Sequence, residues 1–148
     1  MTEAGTHIMR VSLRGEASIH REIEIASSKS LYAFAGAIVA AFDFDFDHAF
    51  GFYSGKTERS LMSADPKYEL FADIGEESDA KSVKKSRVAE AFPQQGYRMV
   101  FLFDYGDEWL FDVEVVRVDE QAPKNRKPRV LTKVGPSPTQ YTYPEEEE

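Results

Sequence analysis

The chain has 148 residues, 42% of them hydrophobic and 13% aromatic, which excludes a disordered polymer and is enough for one domain with a real core. It has no cysteine, so a disulfide framework and a thiolate metal site are excluded and a reducing, cytoplasmic setting is expected. The net charge of −8 repels nucleic acid at long range, and the longest apolar run, Leu31 to Phe42, is too short to span a bilayer.

Residues 1–6 read as a frayed, polar terminus without a signal peptide. Met9, Val11 and Leu13 alternate with Ile8, Arg10 and Ser12, the period-two pattern of a strand. Gly15-Glu16 supplies a turn. Ile19, Arg21, Ile23 and Ile25 then alternate with His20, Glu22 and Glu24, a second strand expected to run antiparallel to the first. Ser27, Ser28 and Ser30 are candidate N-caps for a helix that places Leu31, Phe34, Ala35, Ile38, Val39 and Phe42 on one face. Its other face carries Ala33, Gly36, Ala37 and Ala40 and no charge, so it is expected to receive a second element or a second copy of the chain. A strand from His48 to Tyr53 should point Phe50 and Phe52 inward. Lys56 to Asp79 is too long for a bare loop and should hold a short element of its own. Arg87 to Phe92 reads as a short helix stopped by Pro93 and Gly96.

The strongest local signal lies between Arg98 and Val118. Met99 to Phe103 is apolar without interruption, as a central strand covered on both faces would be. Trp109, Phe111, Val113 and Val115 alternate with Leu110, Asp112 and Glu114, a strand with one wet face. Asp104-Tyr105-Gly106-Asp107-Glu108 joins the two as a hairpin turn. Gly106 is its natural left-handed residue, and its aspartates are suited to accept from turn amides. Gln121 to Pro128 is a basic connection, Val130 to Val134 a last strand, and Gly135 to Pro138 ends regular structure. Tyr141 and Tyr143 are expected to pack back on the body. The expected fold is α+β, a mostly antiparallel sheet with one long buried helix and a short second helix in the order β-β-α-β-(α)-β-β-β. It forms a single domain over residues 1–144, with 145–148 an acidic tail.

Chemistry is harder to find. Gly51-Phe52-Tyr53-Ser54-Gly55-Lys56-Thr57 imitates a phosphate-binding loop, but that loop needs four residues between its glycines and this one has three. Asp43, Asp45 and Asp47 start like a calcium loop, yet His48 and Ser54 stand where glycine and glutamate are required. A looser metal site from Asp43, Asp45, Asp47 and His48 is the remaining possibility, set against a solvated corner. The histidines, His7, His20 and His48, match no metal spacing, and Asp104, Asp107 and Glu108 serve a turn as well as they would an acid pair. Two basic groups, Lys81, Lys84, Lys85 and Arg87, then Lys124, Arg126, Lys127 and Arg129, lack the interleaved aromatics of a stacking platform.

Three stretches resemble the plasmid pRiA4b Orf-three-like family, also described as mobile-element passenger proteins. They are Asp104-Tyr105-Gly106-Asp107-Glu108-Trp109, His20-Arg21-Glu22-Ile23-Glu24-Ile25 leading into Leu31 and Ile38, and Asp47-His48-Ala49-Phe50-Gly51-Phe52. Together they span about residues 8–118. His20 stands where the family often has tryptophan, and Tyr105 replaces the commoner phenylalanine. The family's glycine- and proline-rich acidic tail is replaced by Val134 to Tyr141. The resemblance implies an α+β fold and no established activity, so it supplies no catalytic residue.

The expected function is therefore non-catalytic binding of a partner protein or small ligand, by a monomer or homodimer and without a cofactor or membrane. The surface expected to do this is formed by Asp47, His48, Asp104, Tyr105, Asp107, Glu108 and Trp109. Two alternatives stand beside it: a metal-dependent enzyme using Asp45, Asp47, His48 and Asp107, and a nucleic-acid accessory protein using the basic groups.

Overall fold

A computed structural model describes residues 5–54, 64, 66–73, 80–123 and 127–140. The two alternating N-terminal runs form β1 (Thr6–Leu13) and β2 (Glu16–Ala26), paired antiparallel around Gly15, whose φ of 92° the turn requires. Helix α1 (Leu31–Ala41) follows, its Ser30 side chain accepting from the Ala33 amide as an N-cap. Strand β3 (Phe50–Tyr53) comes next. The long polar stretch does contain elements, β4 (Lys67–Glu69) and a 3-10 turn (Leu70–Asp73), and the two-residue β5 (Lys81–Ser82) follows it. Helix α2 (Val88–Ala91) is one turn long, with Arg87 at its N-cap. The hairpin is β6 (Arg98–Phe103) and β7 (Trp109–Asp119), and β8 (Arg129–Val134) is the last strand among the described residues.

The eight strands form one sheet in the order β5-β4-β3-β6-β7-β1-β2-β8, antiparallel except for β4 with β5. As its unbroken apolar run requires, β6 is central, between β3 and β7. Residues alternate across the sheet. Met9, Val11, Ile23, Phe50, Phe52, Phe101, Phe103, Phe111 and Val113 share one core with Leu31, Phe34, Ile38 and Val39 of α1 and with Val88 and Phe92. The opposite face carries a smaller cluster, Tyr53, Val100, Leu102 and Leu110. Beside it lies a row of alternating charge: Arg98 faces Glu114, Glu114 faces Arg10, and Arg10 faces Glu22. On α1, Tyr32 and Ala40 reach the surface, and Phe46 lies against Gly36 at 3.5 Å from where a Cβ would be. Phe46, from the following loop, thus covers Gly36, while Ala33, Ala37 and Ala40 line a hollow beside Lys127 to Val130.

The turn departs from expectation in one respect. Asp104 (φ 69°) and Glu108 (φ 55°) take the left-handed conformations, and Gly106 does not. Aspartate tolerates that region because its short side chain bonds the local backbone. Asp104 Oδ1 accepts from the amides of Gly106 at 3.1 Å and Asp107 at 3.2 Å. The expected packing of Tyr141 and Tyr143 and the acidic tail lie outside the described residues, as do Lys124 and Arg126.

Candidate functional site

Pairing of β3 with β6 places the loop before β3 over the hairpin turn. Ala49's carbonyl accepts from the Asp104 amide at 2.9 Å, which fixes the two loops together. Across that seam His48 Nε2 sits 3.4 Å from Asp104 Oδ2 and 3.6 Å from Asp47 Oδ1. The His48 ring meets Phe103 edge-on at 6.0 Å. Asp47, His48 and Asp104 are therefore brought together. Asp104 is buried and its second oxygen holds the turn, so it orients His48 from beneath. Asp107 joins through its backbone amide alone, and its carboxylate projects outward beside exposed Glu108.

Tyr105 and Trp109 point into the protein. Tyr105 packs against Phe71 in a tilted pair at 4.9 Å, and its hydroxyl meets that of Tyr53 at 2.6 Å. The Tyr53 hydroxyl in turn donates to buried Glu69. Burial, then the Glu69 bond, pushes the Tyr53 phenol far above its ordinary range, and burial does the same for Tyr105. Gly51 is what admits this pair: a Cβ there would lie 2.7 Å from a Tyr53 ring carbon and 2.8 Å from the Tyr105 oxygen. Trp109 packs edge-on against Phe44 at 4.9 Å, and its buried indole nitrogen donates to no acceptor among the described residues.

The three alternating aspartates serve the C-terminal segment. Asp43 Oδ2 accepts from the Ser137 hydroxyl at 2.5 Å and lies 3.5 Å from Lys133 Nζ, and these two groups, Ser137 first, hold its carboxyl below the ordinary range. The Asp45 amide donates to Gln140 at 2.7 Å, and Gln140 returns a bond to Asp47 at 3.3 Å. Among the described residues, no three histidine or acidic side chains gather to hold a metal ion. Described members of the two basic groups have partners of their own: Lys81 lies over Tyr68, Lys84 over Tyr32, Arg87 donates to the Ser28 carbonyl and Arg129 pairs with Glu24. No helix among the described residues is long and apolar enough to cross a membrane.

Two buried polar groups carry more than their sequence context indicates. Arg21 is fully buried. It donates to the Ala41 carbonyl at 2.8 Å, to the His20 and Val134 carbonyls at 2.9 Å each, and to Ser137 at 3.1 Å, and it lies 4.6 Å over the Phe42 ring. One side chain thus caps the last turn of α1 and ties β8 and the strap after it to β2. The signal was present in the alternation, which set an arginine on the apolar side of β2. His7, also fully buried, donates from Nε2 to the Phe92 carbonyl and accepts at Nδ1 from the Ser27 hydroxyl, both at 2.8 Å. It pins α2 to β1, and burial, partly offset by the Phe92 bond, lowers its pKa.

Fold and corner together define an α+β protein in which one sheet, backed by a long helix, presents a hairpin corner stiffened from beneath. The chain belongs to the plasmid pRiA4b ORF-3-like protein family, whose sequence model matches residues 6–140. The crystal structure of a protein of unknown function, MM3350 from Methanosarcina mazei Go1, shares the fold with a TM-score of 0.72 and 19% identity, over 94% of this chain and 74% of that one. No curated protein matches the sequence.

Proposed function

We infer that the protein is a non-catalytic binding domain whose contact surface is the outer rim of this corner: Asp47, His48, Asp107 and Glu108, flanked by Phe46. The observation that carries the reading is the division of labour within the corner. Asp104, Tyr105 and Trp109 are packed or bonded inward, whereas His48 keeps 37% of its side chain exposed between two carboxylates. Exposed polar groups held on a rigid base lose little freedom when a partner docks. Phe46, 38% exposed and 6.3 Å from Phe103, adds an apolar contact beside them. The rim's three carboxylates favour a partner with a cationic surface. Affinity capture from the source cell with wild type and the His48→Ala, Asp107→Ala double variant tests this. A partner retained by wild type and lost by the folded variant supports the reading, and identical partner lists contradict it.

A further inference from the structure

The face of the sheet turned away from α1 bears a hollow of about 600 Å³ over β6, β7, β1 and the start of β2. That volume falls within the roughly 300–1,000 Å³ typical of small-molecule sites. Three arginines line it, Arg10, Arg14 and Arg98, against two carboxylates, Asp112 and Glu114. The hollow is therefore locally cationic in a chain whose net charge is −8.

Asp112 is paired with Arg14, Glu114 lies beside Arg98, and among the described residues Arg10 and Arg98 have donors to spare. Arg14 donates to Asp112 Oδ1 at 2.7 Å. Among the described residues the Arg98 side chain makes one ion-pair contact, to Glu114 at 3.6 Å, and it is 76% exposed. That distance is well beyond the roughly 2.7–2.9 Å of a charge-assisted hydrogen bond, so its planar fork is uncommitted. Arg10 directs Nε and one Nη to the same Glu22 oxygen, at 3.2 and 2.7 Å, and its second Nη is available. Glu22 itself does not line the hollow. Ser12 and His20, cross-strand neighbours, also line it, and the His20 ring makes a 3.4 Å contact with the Ala17 carbonyl. Val100 supplies an apolar wall.

We propose that this hollow binds a small organic anion, headed by a carboxylate or phosphate that takes the Arg98 fork and the spare Arg10 nitrogen, with its compact body against Val100. The site lies on the opposite face of the sheet from the aromatic core and does not depend on the corner surface. Guanidinium forks match both head groups in geometry, and a partly enclosed hollow strengthens each contact over its value in open water.

The test is titration calorimetry at constant ionic strength with inorganic phosphate and, separately, citrate. Saturable binding of at least one with Kd below about 1 mM is expected, weakened about tenfold or more in Arg98→Gln and in Arg10→Gln. Phosphate alone binding assigns a phosphoryl head, and citrate alone a polycarboxylate. Arg117→Gln, which removes an exposed arginine paired with Asp119 outside the hollow, should bind as wild type does. All three positions are solvent-facing, and an unchanged thermal midpoint verifies folding. Absence of saturable binding of either anion up to about 10 mM overturns the proposal. So does equal weakening in Arg117→Gln, which would mean that general charge is being read. His48→Ala, Asp107→Ala leaves the hollow intact, so loss of one site is distinguishable from loss of the other.

Discussion

Replacing Arg21 with methionine keeps most of the stem's volume and removes every donor. Three backbone carbonyls, those of Ala41, His20 and Val134, and the Ser137 hydroxyl then lose a bond of 2.8–3.1 Å. Each stranded acceptor costs about 1–3 kcal/mol if water cannot reach it. Val134 belongs to an edge strand, where water can return, so a total loss of about 3–5 kcal/mol is expected. Unfolding entropy of about 2.1 cal/mol/K per residue converts this to a fall in Tm of roughly 10–16 °C for a chain of this length. Arg21→Lys keeps the charge but cannot span the same acceptors, and should fall between the two. Chemical denaturation and calorimetry measure the loss, and hydrogen exchange locates it: the amides of β8 and the strap through Gln140 should lose protection first. Arg117→Met, at an exposed position, should stay within about 0.5 kcal/mol of wild type. A loss under about 1 kcal/mol in Arg21→Met would refute the reasoning, since the carbonyls would then be equally well served by solvent.

Gly51→Ala forces a methyl against Tyr53 and Tyr105 and should cost about 1–3 kcal/mol by urea denaturation; adding Tyr105→Phe should return part of the loss. An unchanged midpoint in Gly51→Ala would show that the tyrosine pair yields freely. His7 has a lowered folded pKa, so the unfolded chain takes up its proton below about pH 6.5 while the native chain resists. Its contribution is complete above that pH and declines on acidification, by up to about 2 kcal/mol at pH 5. Urea midpoints measured from pH 7.5 to 5 should therefore fall more steeply in wild type than in His7→Gln, and parallel slopes would contradict this.

Elements with their own period were legible in the sequence. The β1–β2 and β6–β7 alternations and the 3.6-residue spacing of α1 are local patterns, and each became the element it indicated. Strands β4 and β5, with three and two residues, are too short to show a period and exist because β3 offers an edge. The left-handed turn residues were misplaced because glycine is the general preference, whereas here the Asp104 carboxylate stabilises its own unusual backbone. The candidate surface was half legible. Composition put acids, an imidazole and aromatics in two stretches, but only the β3–β6 pairing shows that His48 meets Asp104. Only packing shows that Tyr105 and Trp109 turn inward. Arg21 and His7 were visible as residues on apolar strand faces, but their partners lie in distant segments that no local pattern links to them.

The most direct measurement of the corner's role is site-specific photocrosslinking in the source cell, with the reactive side chain introduced in turn at positions 48, 107 and 117. One shared crosslinked partner is expected from positions 48 and 107 and none of it from position 117. The same yield of the same products from all three positions, or no product from 48 and 107, would contradict it.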